Sequence, residues 1–366
     1  MVNYNALSDE KRGCFSLVFS ATDEVLGRKV ALKFFEPAWN SDIYRRNAFL
    51  REHEILAQLL TAERCLQLTA GIKKVSFTAK IQGGKELKIP CEYFAVEWLD
   101  GELDEFFLGK VSFDPVNRLR LFNEMTLAIE ALHSKEIFHR DLKQDNMRAY
   151  DDALRRIVVA IDLGTAARFE SAAIGAPYTG AVGASGYAAP EARCGLAGNR
   201  VLAQKTDLYA LGCLLYELFN PGYFFSAVEN VNVRYKLRLA AMGAELSATM
   251  EPAVQVIEWN AALAKHAAGV SKVQIDGTGS DTPASVAQIL NEILQGLTSF
   301  DYRNRPKLSW VRQKIWVAIK VLENERLSRL RLNSLRLRRE RKAAKAAARE
   351  EKFLAFKAVF EEKERC

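Results

Sequence analysis

Apolar residues in this chain fall into two kinds of run, short ones of strand length and longer ones with a helical period. Residues 14–19 (Cys-Phe-Ser-Leu-Val-Phe) and 29–35 (Lys-Val-Ala-Leu-Lys-Phe-Phe) are β-prone and are separated by Asp23-Glu24 and Gly27, which predicts a small antiparallel sheet. Apolar pairs at Phe49/Leu50, Ile55/Leu56 and Leu59/Leu60 predict a helix over Asn47–Leu60. Strand-like runs follow at Lys73–Lys80 and Leu87–Ile89, with Gly83-Gly84 between them as a hairpin. A further apolar run, Tyr93–Leu99, enters Asp100-Gly101, and an amphipathic helix is expected over Asn117–His133.

The second half is mostly helical in pattern. Thr206–Phe219 is apolar nearly all round, which is the mark of a buried helix. Val233–Ala241 and Val254–His266 read as extra helices, followed by a Gly/Ser/Asp/Thr break at 276–284. After Pro306 there is neither Pro nor Gly, and the last ~45 residues read as one long helix. Its leucines at 327, 330, 332, 335 and 337 keep no strict heptad, which speaks against a long coiled coil.

Composition narrows the class. At 366 residues, 49% hydrophobic and 27% charged, the chain suits an ordinary globular protein with one two-lobed domain of roughly 250–300 residues plus extras. The N-terminus has no signal-peptide pattern, and no run of ~18 apolar residues is long enough for a membrane span. The six cysteines, at 14, 65, 91, 194, 213 and 366, have no metal-binding spacing and read as reduced thiols, so a cytoplasmic protein is expected. The net charge of +7 resides in Lys320–Cys366, which holds fifteen Lys/Arg against eight Asp/Glu; the preceding residues are neutral.

Chemistry concentrates in His139-Arg140-Asp141-Leu142-Lys143-Gln144-Asp145-Asn146. Asp141 can accept a proton from a hydroxyl, Lys143 can neutralise a phosphoryl group in flight, and the Asn146 amide oxygen can ligate a hard cation. Beyond the apolar run 157–161 comes Asp162-Leu163-Gly164, a carboxylate suited to the same cation.

The octet resembles the catalytic loop H-R-D-L-x-x-x-N of the protein kinases, and the tripeptide resembles their Asp-Phe-Gly. The resemblance covers about residues 11–318 and is carried by an ordered set of motifs. Val30-Ala31-Leu32-Lys33 is similar to the V-A-I-K strand, whose Lys pairs with ATP phosphates and with a helix Glu. That Glu is Glu52, with Glu54 the alternative; on a helix the two lie ~200° apart, so only one can face the strand. Ala189-Pro190-Glu191, Asp207 and Arg305 complete the set, Arg305 pairing with Glu191 and Asp207 holding the catalytic loop.

The resemblance implies an α+β, bilobal fold: a β-rich N-lobe over 1–99, a helical C-lobe over 100–319 with a helical insert at about 225–290, and a basic helical extension over 320–366. It implies a Ser/Thr protein kinase that uses ATP and Mg²⁺. Lys33, Glu52, Asp141 and Lys143 would be catalytic, and Asn146 and Asp162 would hold the metal. ATP would meet Lys11, Gly13, Val18, Ala31 and Lys33, with adenine on the backbone of Glu97 and Leu99, Val96 at the back pocket, and Glu102 or Asp104 at the ribose.

There are departures. Of the three glycines in G-x-G-x-x-G-x-V, the register Lys11, Gly13, Ser16 keeps one, and Lys11 would compensate with charge. Ala184 stands where Ser/Thr kinases carry a Thr, and Arg148 stands where an aliphatic residue floors the adenine. Thr165, Ser171, Tyr178 or Thr179, once phosphorylated, would pair with Arg140. Two other readings are a small-molecule phosphotransferase on a kinase-like fold and a pseudokinase scaffold acting through its tail. Protein substrates are the expected partners. For residues 325–366 a solvated charged face is the first reading, and an acidic partner or self-association ranks next, ahead of nucleic acid or a membrane surface.

Overall fold

Strands β1 (Ser16–Asp23) and β2 (Arg28–Phe35) pair antiparallel, so that Val18 stands opposite Lys33 and Ser20 opposite Ala31. The structure, a computed structural model, describes residues 16–80, 86–110, 114–152, 155–168, 183–248, 251–276 and 282–363. Lys11, Gly13 and the Gly83-Gly84 hairpin lie outside the described residues. Helix α1 (Ile43–Gln58) begins four residues before the apolar pattern does, because the Asp42 side chain caps it by accepting from the Arg45 amide at 3.1 Å. Its inner face, Ala48, Phe49, Glu52, Ile55 and Leu56, packs on the sheet, with Phe49 against Phe35 and Phe94 at ring separations of 5.6 and 4.9 Å.

Strands β3 (Leu68–Lys80) and β4 (Glu86–Glu97) complete a sheet of order β1-β2-β4-β3. The expected separate runs at 87–89 and 93–99 join into one strand, which ends at Glu97. Pro90, which has no N–H, interrupts nothing, because β2 borders β4 only over Tyr93–Glu97.

After β5 (Gly101–Glu102), helix α2 (Pro115–His133) is capped by Asp114 and buries Leu119, Phe122, Met125, Ile129 and Leu132. Short strands β6 (Ile137–Phe138), β7 (Met147–Asp152), β8 (Arg155–Ala160) and β9 (Ala167–Arg168) then carry the loops that hold the chemistry. Beyond α3 (Pro190–Arg193), helix α4 (Arg200–Phe219) is buried along most of its length, as its all-round apolar pattern required. Helices α5 (Phe224–Val231), α6 (Tyr235–Ala244), α7 (Pro252–His266) and α8 (Ala284–Leu297) follow. α6 and α7 are the two helices expected in the insert, whereas α5 had no separate signal. Trp259, fully buried, anchors α7 with Leu196, Leu202 and Met242.

The last element, α9 (Leu308–Lys363), is a single helix of 56 residues and about 84 Å. Leu308, Val311, Ile315, Ala318 and Leu322 form its buried stripe, which packs on α2 and α8. The tail therefore does not start at residue 320; the helix that closes the C-terminal half continues outward, and past Leu322 no residue of its described surface is buried.

Candidate functional site

Lys33 projects from β2 into the space between sheet and helices and is 7% exposed. Its Nζ lies 2.5 Å from Glu52 Oε2 on α1 and 2.9 Å from Asp162 Oδ1 at the end of β8. Glu54 is on the exposed side of α1, so the choice between the two carboxylates is settled by geometry. The other Glu52 oxygen accepts from the Leu163 amide at 3.2 Å and so fixes the turn that follows Asp162. Asp162 itself adopts φ 62°, a left-handed conformation that Asp tolerates better than most residues. Leu163 is fully buried below the turn.

This cluster has one cation for two carboxylates. Burial works against the charge of Lys33, yet Asp162 and Glu52 together raise its pKa above the ordinary lysine value. Burial also works against Asp162, but Lys33, helped by Lys143, holds its carboxyl below the usual range. Glu52 is pushed up, by burial first and by the nearby Asp162. Of the two carboxyls, Asp162 is the one whose charge is favoured, and it is the more exposed, 26% against 2%.

The octet loop is hung from α4. Asp207 accepts from the backbone N–H of His139 and of Arg140, each at 2.8 Å, and its Oδ2 also meets His133 Nε2 at 2.9 Å. These bonds hold Arg140 at φ 64°, where a non-glycine residue is strained. His139 is fully buried; its Nδ1 accepts from the Asp141 amide and its Nε2 donates to Ile161 O, which fixes the tautomer and ties the loop to the strand before Asp162. Asn146 donates to the Asp141 carbonyl at 2.8 Å and to Asp141 Oδ2 at 3.2 Å, which sets both side chains in one frame. Burial raises the Asp141 pKa, although the Ala184 amide and Lys143 oppose the shift.

Ala184 has a role that the missing Thr hydroxyl did not suggest. Its backbone N–H donates to Asp141 Oδ1 at 2.6 Å. The approach requires Gly183, at φ +87°, since a Cβ there would come within 2.5 Å of Arg140 O. The backbone contact could not be read from side-chain motifs; the neighbouring Gly183 was its only signal.

Arg140 differs from expectation. Its guanidinium is not waiting for an anion: Nε and Nη2 donate to Thr165 O, and Nη1 donates to Ala197 O at 3.2 Å. Burial, with Arg51 next, lowers its pKa to about 10. Thr165 is buried, its hydroxyl donating to His139 O at 3.1 Å, so it is withdrawn from modification. Ser171, Tyr178 and Thr179 lie outside the described residues. Arg148 folds back on the carbonyls of Asp145 and Met147, each at 3.0 Å. Glu102 stands 3.8 Å from Arg148, and Asp104 pairs with Lys110 at 3.3 Å.

Along β4, Val96 is buried opposite Ala31. The Glu97 amide donates to Gln67 O at 3.0 Å, and Leu99 follows half-buried. Val18 is half-buried on β1. Further away, Arg305 grips Glu191 through both guanidinium ends, with Nη2 to Oε2 at 2.9 Å, and both side chains are fully buried. No helix among the described residues is long and apolar enough to cross a membrane.

Comparison with known proteins agrees with this geometry. Curated relatives include the serine/threonine-protein kinase PknD of Chlamydia trachomatis serovar D, 28% identical over 260 residues, which is 64% of this chain and 26% of the relative. The serine/threonine-protein kinase PrkC of Bacillus subtilis is 29% identical over 227 residues, covering 61% and 31% respectively. A human putative 3-phosphoinositide-dependent protein kinase 2 is 29% identical over 210 residues, covering 56% of this chain and 47% of the relative. The chain therefore spans about a quarter of the chlamydial relative and less than half of the human one. The protein kinase domain model matches residues 11–317, most of the chain and every cluster described above, and the chain belongs to the protein kinase family.

Proposed function

We propose that the protein transfers the γ-phosphoryl group of ATP to Ser/Thr hydroxyls of protein substrates. The observation that carries this reading is the convergence of Lys33, Glu52 and Asp162 within 2.5–2.9 Å, beside an Asp141–Asn146 pair joined by hydrogen bonds. Asp162 and Asn146 fit Mg²⁺: a hard cation takes one or two protein oxygens plus phosphates, and the buried cluster is one positive charge short. Such an ion would neutralise charge on the transferring phosphates.

Lys33, held by Glu52, binds α/β-phosphate oxygens. Asp141 orients the acceptor hydroxyl and takes its proton as the new P–O bond forms and the bond to the β-phosphate oxygen breaks, releasing ADP. Lys143 stabilises the phosphoryl group in transit. At the hinge, the Glu97 N–H is already used by Gln67, so adenine would meet the Glu97 carbonyl and the Leu99 backbone. Ala31, Val18 and Val96 would line the base. The free thiols of Cys65, Cys91, Cys194 and Cys213 suit a reducing cytoplasm.

Catalysis of this type is positioning plus electrostatics. A radiolabelled-ATP assay with Mg²⁺, protein and small-molecule acceptors and an Asp162→Ala control tests it. Label on protein Ser/Thr that is lost in the control is the expected result. Label on small molecules alone, mainly phosphotyrosine, or no label at all would each remove the reading.

A further inference from the structure

The outer part of α9 is chemically two-sided. Arg331, Arg338, Arg341, Lys342, Lys345 and Arg349 are exposed and stand at intervals of three, four and seven residues. On a helix this spacing gathers them into one stripe about 100° wide and about 27 Å long. The exposed Leu327, Leu330, Leu335 and Leu337, each more than half accessible, lie along the same side. The sequence pattern then brings Phe353, Phe356, Val359 and Phe360 to the same register. The acids take the other side: Glu340 pairs with Arg336 at 2.9 Å away from the stripe, and Glu350, Glu351, Glu361 and Glu362 fall at opposite registers. From Arg326 to Arg349 there are ten Lys/Arg and one Glu.

We propose that this face of α9 binds an anionic lipid surface. A bilayer face offers both things the stripe lacks, fixed negative charge and a shallow apolar layer, on one plane along which a straight helix can lie. Arg and Lys stems can follow the apolar residues inward while their heads remain at the phosphates. A second copy brings the same cations and is repelled. A nucleic-acid backbone would satisfy the cations but leave the exposed leucines in water. The kinase body stays off the surface, because α9 leaves it after Leu322.

Sedimentation of the full-length protein with vesicles tests this. Binding to phosphatidylcholine vesicles containing phosphatidylserine, little binding to phosphatidylcholine alone, and weakening in raised salt are expected. Each stripe cation near an anionic surface contributes about fivefold, so the triple variant R338Q/K342Q/K345Q loses about 10²-fold. The off-stripe triple R326Q/R336Q/R339Q removes the same charge and should stay within severalfold of wild type. Both triples should keep wild-type helicity by circular dichroism and unaltered phosphorylation of a soluble peptide. No binding to the acidic vesicles, equal losses in the two triples, or tighter binding to an oligonucleotide or to a second copy than to vesicles would each overturn the proposal.

Discussion

Two buried ionic clusters divide this molecule, and their charge balance separates them. Between sheet and helices, Lys33 faces two carboxylates, and one of them, Asp162, stays partly open to solvent. In the C-terminal half, Arg305 faces Glu191 alone, both side chains fully buried, with remaining guanidinium donors answered by Ser299 O at 3.0 Å and Lys205 O at 2.8 Å. A neutral, fully bonded pair has nothing left to bind. A cluster with two carboxyls for one cation, beside an opening, has room to be completed by a second cation. The same physics thus yields a structural joint in one place and a candidate catalytic centre in the other.

The largest expected effect comes from emptying the open cluster or the Asp141 loop beside it. Lys33→Ala and Asp141→Ala should each lower phosphoryl transfer by ~10²–10³-fold or more. Folding should survive, because without Lys33 the buried Glu52 takes a proton instead of remaining a lone charge. Peptide phosphorylation rates together with thermal melting check this. Near-normal turnover with unchanged melting would contradict the assignment of the site.

The closed pair should behave in the opposite way. Arg305→Met leaves Glu191 buried without a partner and should cost ~3–5 kcal/mol of stability. Adding Glu191→Leu should recover much of that loss, since an apolar pair of similar volume removes the stranded charge. Denaturant unfolding of the single and double variants measures both. A double variant no better than the single would show that the joint depends on its hydrogen bonds to Ser299 and Lys205 rather than on charge.

Ligand response sharpens the contrast further. Mg²⁺-ATP should raise the melting temperature of wild type, by about 2.7 kcal/mol of stabilisation at a hundredfold excess over Kd. The shift should vanish in Asp162→Ala and with chelator, and persist in the Arg305→Met/Glu191→Leu double variant. Loss of the shift in the C-terminal double variant would mean that the two clusters are energetically coupled rather than independent.

Much of this was legible because kinase chemistry is written in side chains at fixed spacing. Lys33, Glu52, Asp141, Asn146, Asp162, Asp207 and the Glu191–Arg305 pair each have a side chain whose type states its need. Backbone-made contacts carried no such signal. The Ala184 amide on Asp141 could not be found by asking what an Ala side chain does, and Arg140 was expected to need an anion although carbonyls satisfy it. Element ends shifted for similar reasons. The Asp42 cap starts α1 before its apolar face begins, and α9 begins at Leu308 because its stripe from Leu308 to Leu322 faces α2 and α8. The insert helices were visible as periodic patterns, but α5 is only eight residues long, too short for periodicity to separate it from the preceding turn.

A third buried carboxyl, with no cation at all, completes the series and makes stability depend on pH. Glu217 on α4 is 1% exposed; it accepts from Tyr187 OH at 2.7 Å and from the Phe224 amide at 3.3 Å. Burial outweighs these bonds and raises its pKa to about 7. Because the folded form holds this proton above the pKa of the unfolded chain, the contribution is fully present below the ordinary glutamate range. It is lost progressively as pH climbs to about 7 and is constant beyond. Melting temperature should therefore fall between mildly acid and neutral pH, and Glu217→Gln, which keeps an uncharged hydrogen-bonding side chain, should flatten that part of the profile. The variant should be as stable as wild type in acid and more stable above neutrality. If the two profiles run parallel, Glu217 is ionised in the fold at neutral pH, and a buried carboxylate here can stand without either a cation or a proton.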